Sequence, residues 1–482
     1  MKPILRKLLL VAFFVSLAGG CAFWLLVKAS ERMQSDFIDH LGSVLRGEVS
    51  LTADRTPGEL IRYSRARLAG HPKLEFFLLP LLDEFQPVFE RPVPAGEFHH
   101  FGKGQRANIA LTATSASYLV SNTGELEEAM RRATAGQVIE LLPGHYRIDK
   151  TLYTRNPGQS DGRITLRAAR TNAATLEVAA NAGFAVTKPF WTFENLRMVG
   201  ACQHDEYCEH AFHVTGEAHH TLIHNNHLED FSAHVKVNGY RGDWPDDGEL
   251  SFNTLINTRP RNTSRPVTPF DLVGASRWLV ADNYVANFIK ADPKATAYGV
   301  FMKGAGFGGR IERNVVVCSL GDISQAGTRV GISFGGGGSG PAYCRDGACE
   351  VEFSGGRAIN NIVAHCNDFG IDVNRSRNSF IAHNTLINTG GIDVRGPGGS
   401  ALAYGNLFEG IARARNGGSL KMQMNYNAKL KDYFSAADSL FLQWQKLPEK
   451  IPSHKAVKAD LCGRPRPDGT LPGAMEESGP CG

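Results

Sequence analysis

Net charge is what this sequence has least of. Its 52 Lys and Arg residues stand against 48 Asp and Glu, leaving +4 over 482 residues. With no nucleic-acid motif either, no nucleic-acid partner is expected. The glycine run at 334–340 lacks the lysine and the following helix of a phosphate loop. The apolar stretch near the N-terminus has no clean Ala-x-Ala site after it, which weighs against a cleaved signal peptide. Charged residues make up only 21% of the chain, while 52 glycines and 23 prolines mark a turn-rich polypeptide long enough for a large core.

What is present is a repeat. An asparagine followed by two apolar or half-apolar residues returns at Asn226, Asn253, Asn283, Asn314, Asn361, Asn384 and Asn406, with spacings of 27, 30, 31, 47, 23 and 22 residues. An apolar-x-apolar triplet precedes most of them by 13 or 14 residues: Phe212-His213-Val214, Phe270-Asp271-Leu272, Val300-Phe301-Met302, Ile371-Asp372-Val373 and Ile392-Asp393-Val394. Ile332-Ser333-Phe334 and Val235-Lys236-Val237 fit at longer offsets of 29 and 18. Periods of this length belong to stacked solenoids, in which each coil buries its inward face only against the next. The alternation of period two makes the units strands. Asparagine suits the corner, since it tolerates left-handed backbone and its amide can bond to the chain or to the asparagine above it.

Lys2, Arg6 and Lys7 precede an uncharged apolar run at 8–27, long enough to cross a bilayer. Basic residues on the N-terminal side keep that end in the cytoplasm. We expect residues 1–27 to be an uncleaved signal anchor in a bacterial inner membrane, single-pass, with the body in the periplasm or outside the cell. A cleaved signal peptide and a lipoprotein signal ending at Cys21 are the alternatives. Residues 28–105 read as a small helical juxtamembrane segment closed by a proline-broken linker, residues 106–432 as the solenoid, and 433–482 as a C-terminal cap or tail.

There are nine cysteines. Apart from Cys21 they fall into Cys202/Cys208, Cys344/Cys349 and Cys462/Cys481, close in sequence, and Cys318/Cys366, at similar points after the asparagine corners of successive coils. An even count outside the cytoplasm suggests disulfides. Two other readings stay open: a zinc site from Cys202, His204, Cys208 and His210, and buried free thiols at Cys318 and Cys366.

A short helix from Glu125 to Arg132, then "AGQVIELLPGHYRI" from Ala135 and "GRITLRAA" from Gly162, resembles the entry to right-handed parallel β-helix proteins of the pectin-lyase-like superfamily. The wording is most similar to the chondroitinase B and alginate lyase branch, polysaccharide lyase family 6. The tail phrase from Asp460 to Glu476 is similar to that of many bacterial extracellular β-helix proteins. The resemblance implies an all-β, right-handed parallel β-helix solenoid whose open end is capped by the helix. It implies a polysaccharide substrate on the strand face, cleaved with a lysine, an arginine and calcium held by carboxylates and an Asn. Lys303 in Phe301-Met302-Lys303-Gly304 is the best match to the lysine, and Arg329, 26 residues on, is the candidate arginine. The Asp-Pro-His-Asp motif of the alginate epimerase branch and the motifs of polygalacturonase-type hydrolases are absent.

Aligning coils on the triplets gives two outward columns. The first reads His213, Lys236, Asp271, Phe301, Ser333, Asp372, Asp393; the second reads Thr215, Asn238, Val273, Lys303, Gly335, Asn374, Arg395. Strands about 4.8 Å apart would make these a ladder of charge. Asp372 beside Asp393 requires a shared proton, or a cation such as Arg395 between them. The candidate set is therefore Lys303 and Arg329 for catalysis, with Lys236, Asp271, Asp372, Asn374, Asp393 and Arg395 for substrate. Trp244, in an insertion with Asp243, Asp246 and Asp247, either stacks on a sugar or packs under its own loop, and the acidic trio is a candidate for calcium. The expected function is action on an acidic polysaccharide, as a lyase by β-elimination. The alternative is a non-catalytic polysaccharide-binding or structural envelope protein, in which these charges simply solvate a strand face.

Overall fold

The computed structural model describes residues 98, 100–107, 115–292, 295–321, 323, 327–336, 339–479 and 481, with residues 76, 78–80 and 82 in helix. The apolar run at 8–27 and most of the juxtamembrane segment lie outside these residues. Among the described residues no helix is long and apolar enough to cross a membrane.

The chain winds into a parallel β-helix. Each coil contributes a strand before the ladder asparagine, a strand after it and a triplet strand, so three long parallel sheets of 12, 11 and 10 strands form the walls. In the coil of Asn226 these are Leu222–His224, His227–Glu229 and Val235–Asn238. The proposed register holds for the whole first column: His213 pairs with Lys236, then Asp271, Phe301, Ser333, Asp372 and Asp393 in turn, and Arg413 follows. Both apolar members of every triplet, from Phe212 and Val214 to Ile392 and Val394, are at most 1% exposed. At about 1.5–3 kcal/mol per buried side chain, these columns are a large part of what holds the coils together.

The seven asparagines do line one corner, and an eighth, Asn425, ends the line. From Asn253 onward each carboxamide oxygen accepts both the backbone N–H and the side-chain N–H of the asparagine one coil earlier, as at Asn283 to Asn314, 3.0 and 2.9 Å, and Asn384 to Asn406, 2.9 Å each; that of Asn226 accepts the Leu196 N–H at 3.0 Å. The left-handed conformation, however, belongs to the preceding residue. Asn225, Phe252, Asp282, Arg313, Asn360 and His383 have φ between 52° and 58°. The asparagine is needed for its two-sided amide, not for its backbone tolerance. The amide bonds offset a cost of about 1–2 kcal/mol at residues as unsuited to positive φ as Phe252 and Arg313.

In several coils a glycine stands just before the triplet, where the next coil passes close. At Gly299, Gly331 and Gly391 a β-carbon would stand 2.6, 2.7 and 2.3 Å from a carbonyl oxygen of the next coil. The helix runs from Thr123 to Arg132, two residues earlier than expected, with Asn122 capping Glu125 N–H and Leu126, Ala129 and Met130 buried in the main core. The last segment does not extend the solenoid. Phe434, Leu440, Leu442, Leu461 and Met475 lie back over the outer side of the sheet that follows the asparagines, packing with Val315, Val317, Ile362 and Leu407. Phe98 and Phe101 join this layer, and Lys103 is buried in an ion pair with Asp282 at 2.7 Å.

All eight cysteines among the described residues are bonded. Cys202–Cys208, Cys344–Cys349 and Cys462–Cys481 have Cα separations of 5.7, 5.5 and 4.8 Å, and Cys318–Cys366 bridges successive coils at 5.0 Å. The zinc reading fails because Cys202 and Cys208 bind each other, and the free-thiol reading fails likewise at Cys318 and Cys366.

Candidate functional site

With the tail lying over the sheet that follows the asparagines, the outer side of the triplet sheet is where the charged columns stand. It is not an open row of solvated charge. Asp271 and Phe301 are each 4% exposed, and Ser333, Asp372 and Asp393 are fully buried. The reason is the length of the neighbouring side chains, which fold over the column. Arg395 binds Asp372 at 3.0 and 2.8 Å and reaches Asp393 at 3.5 Å. Arg413 and Arg415, both 7% exposed, close on Asp393 from the next coil at 2.8 and 3.0 Å. The stacked carboxylates are thus separated by arginine, one of the two arrangements the alignment required. Burial opposes ionisation of Asp393, but Arg413, Arg415 and Arg395 outweigh it and hold its pKa below the ordinary carboxylate value.

Lys236 donates to Asp271 Oδ2 at 2.5 Å. Burial pushes the Asp271 carboxyl up; Lys236 and Lys303 push it down further, so it stays ionised. Its Oδ1 has no hydrogen-bond partner among the described residues. His213, at the head of the column, is held by Asn238 Oδ1 at 2.7 Å, and burial keeps its imidazole neutral. Asn374 is buried beside Arg395 in register.

Lys303 is half-buried, and its ammonium rests 4.6 Å from the centre of the Phe301 ring. Among the described residues its ammonium has no hydrogen bond or ion pair. Tyr298 stacks on the same ring at 4.1 Å. It was absent from the alignment columns because the bend at Gly299 changes which way the strand faces. Burial, and after it the charge of Asp372, raises the Tyr298 pKa, so the phenol keeps its proton at neutral pH. Lys303 and Tyr298 therefore both pack on the Phe301 ring, which brings an amine and a neutral hydroxyl beside one aromatic side chain.

Arg329 is not part of this group. It pairs with Ala297, at the opposite end of the strand Thr296–Lys303, about 20 Å from Lys303 along the chain. It is buried, donating to the Ile323 carbonyl at 2.8 Å. A spacing of one coil in sequence did not mean the same height along the strand. Trp244 is half-buried against Gly239 and Gly274, where a β-carbon would collide with its ring, and Arg345 lies over it at 5.5 Å. It packs under its own loop. Asp246 and Asp247 are taken by Arg345 and Arg277.

Among the described residues, aspartates of both candidate groups are engaged by cations of the chain itself. Asp246, Asp247, Asp271, Asp372 and Asp393 each already carry a lysine or arginine. The one close group of His, Cys, Asp or Glu ligand atoms among the described residues is Cys344, Asp346 and Cys349, and its sulfurs are joined to each other.

No family model matches the sequence. No curated protein matches it. Among solved structures the chain is similar to pectate lyase Pel9A, at 14% identity over 76% of this chain and 98% of that one, with a TM-score of 0.49. It is similar to a rhamnogalacturonan lyase, at 12% over 73% and 90%, TM-score 0.41. A family 6 polysaccharide lyase from Pseudopedobacter saltans follows at 13% over 65% and 93%, TM-score 0.36. At these identities the likeness concerns the fold alone.

Proposed function

We propose that this protein acts on an acidic polysaccharide outside the cytoplasm, by β-elimination, on the outer face of the triplet sheet. The carrying observation is the Lys303–Phe301–Tyr298 group, set between Lys236 toward one end of the face and Arg395 toward the other. Elimination at a uronic acid requires a cation to neutralise the carboxylate and acidify the adjacent C5 proton, a base for that proton, and a donor for the leaving oxygen. In this reading Lys236 and Arg395 meet the uronate's charge, and Lys303, its amine unpaired among the described residues, takes the C5 proton after giving up its own to solvent. Tyr298, neutral but on the same ring, supplies the donor. Asp271 and Asp372 fix Lys236 and Arg395 for that contact.

Four disulfides support an oxidising compartment. The basic–apolar N-terminus supports an inner-membrane anchor through residues 8–27. A right-handed turn is the hand that parallel crossovers almost always take.

The test is incubation of the full chain, in detergent, with a panel of uronate polymers, with and without calcium, following the ultraviolet absorbance of the unsaturated product. Lys303→Ala should abolish turnover and leave the thermal midpoint nearly unchanged, since a half-buried lysine without an ion pair contributes little to stability. A flat trace for the native chain across the panel favours the non-catalytic binding reading. Full activity of Lys303→Ala removes the lysine from the chemistry.

A further inference from the structure

Beside the triplet face runs a short sheet that the repeat gave no sign of. Gly306–Phe307, Phe353–Ser354 and Ser376–Arg377 pair in parallel along the edge where each triplet strand turns toward the next coil. Its inward members, Gly306, Phe353 and Ser376, are buried; its outward column reads Phe307, Ser354, Arg377. Arg277 precedes the column, its N–H donating to the Phe307 carbonyl at 2.8 Å.

Phe307 is 43% exposed. An isolated exposed phenylalanine is ordinary, but this one is braced. The guanidiniums of Arg277 and Arg345 lie 5.2 and 5.7 Å from its ring centre. Each is held in turn, Arg277 by Asp247 at 2.6 and 2.7 Å, and Arg345 by Asp246 at 2.7 and 3.0 Å. Arg345 stands in the disulfide loop Cys344–Cys349, and its N–H bonds to the carbonyl of Gly304, next to Lys303. The two insertions around Trp244 and Cys344 thus combine to fix one aromatic ring at the edge of the candidate site. Two strands further on, about 10 Å away, Arg377 is exposed over Gly398 and makes no ion pair among the described residues.

We infer that Phe307 and Arg377 form a sugar-binding subsite on this edge sheet, in which a pyranose ring stacks on Phe307 and an anionic substituent along the same polymer meets Arg377. The inference rests on the polysaccharide reading above and extends it to a second contact line. The surroundings of the ring favour a sugar over a protein partner. A protein interface core would want contiguous apolar surface, whereas this ring is flanked by two guanidiniums and paired in register with Ser354. A sugar presents a C–H face to the aromatic and hydroxyls to everything around it.

The experiment measures binding of alginate and of polygalacturonate to the full chain in detergent, by calorimetry at low and high salt. It compares the native protein with Phe307→Ala, Phe307→Leu and Arg377→Ala. The leucine variant keeps the bulk against which the two arginines rest and removes the ring. Both Phe307 variants should bind about three- to tenfold more weakly at either salt concentration. Arg377→Ala should lose affinity at low salt and converge on the native protein at high salt. Native affinity in Phe307→Leu, with the native chain binding, overturns the subsite and leaves the polysaccharide reading standing. Absence of binding by the native chain to either polymer overturns both.

Discussion

Replacing Asn314 with alanine is the sharpest test of what holds the coils in register. Its carboxamide oxygen accepts the backbone N–H and the side-chain N–H of Asn283, at 3.0 and 2.9 Å. Its nitrogen donates to the carbonyls of Val280 and Glu312 and to Asn361, at 2.9, 3.1 and 3.0 Å. Asn283, Asn314 and Asn361 are all fully buried. Truncation therefore leaves two donors of Asn283 without a partner and without water. A buried donor left unmade costs about 1–3 kcal/mol, so the expected loss is about 2–6 kcal/mol. The control is Asn425→Ala. Asn425 receives the same pair of bonds from Asn406, at 3.0 and 2.8 Å, but at the half-buried end of the line, where solvent can replace them. Its loss should be about 1 kcal/mol or less. Urea midpoints followed by circular dichroism compare the two variants, and amide exchange at Asn283 reports the orphaned N–H directly. Equal losses at 314 and 425, or retained protection at Asn283, would show that the ladder is a by-product of the stacking and not one of its causes.

Two further outcomes follow from buried charge. His210, His234 and His383 are each brought to a pKa of about 3, by burial first of all. The fold holds them neutral, so their stabilising contribution is complete above about pH 6.5 and is lost as pH falls toward 3. By pH 5 each should cost about 2 kcal/mol relative to neutral pH. A urea midpoint unchanged between pH 7 and 5 would contradict this, and His234→Gln should flatten the slope. Asp393→Asn should cost about 3–5 kcal/mol, because Arg413 and Arg415 lose a buried counter-charge. Asp372→Asn should cost less, since its partner Arg395 has 29% of its side chain exposed. Comparable midpoints for the two variants would refute the assignment of Asp393 as the anchor of this layer.

What the sequence displayed was whatever depends on period. The inward residues recur because each must meet its counterpart one coil away, and the asparagines recur because each amide must meet the next. Both needs are local to a column, so reading down the columns recovered the register strand by strand. Exposure is a different kind of property. Alternation correctly turned Asp372 and Asp393 away from the apolar core, but Arg395, Arg413 and Arg415 bury them from outside, and a long side chain's reach leaves no trace in the period. The same limit explains Arg329 and Tyr298. The first sits one coil after Lys303 in sequence yet at the other end of the strand. The second sits before a glycine bend that reverses facing and so meets the Phe301 ring on which Lys303 also rests. The glycines were visible; what they meant was visible only once the carbonyl of the neighbouring coil stood where a β-carbon would be. The edge column of Phe307, Ser354 and Arg377 lies still further from reach, because its three members are 47 and 23 residues apart and share no residue type. The wall is legible from repetition, whereas the proposed chemistry has to be read from contacts.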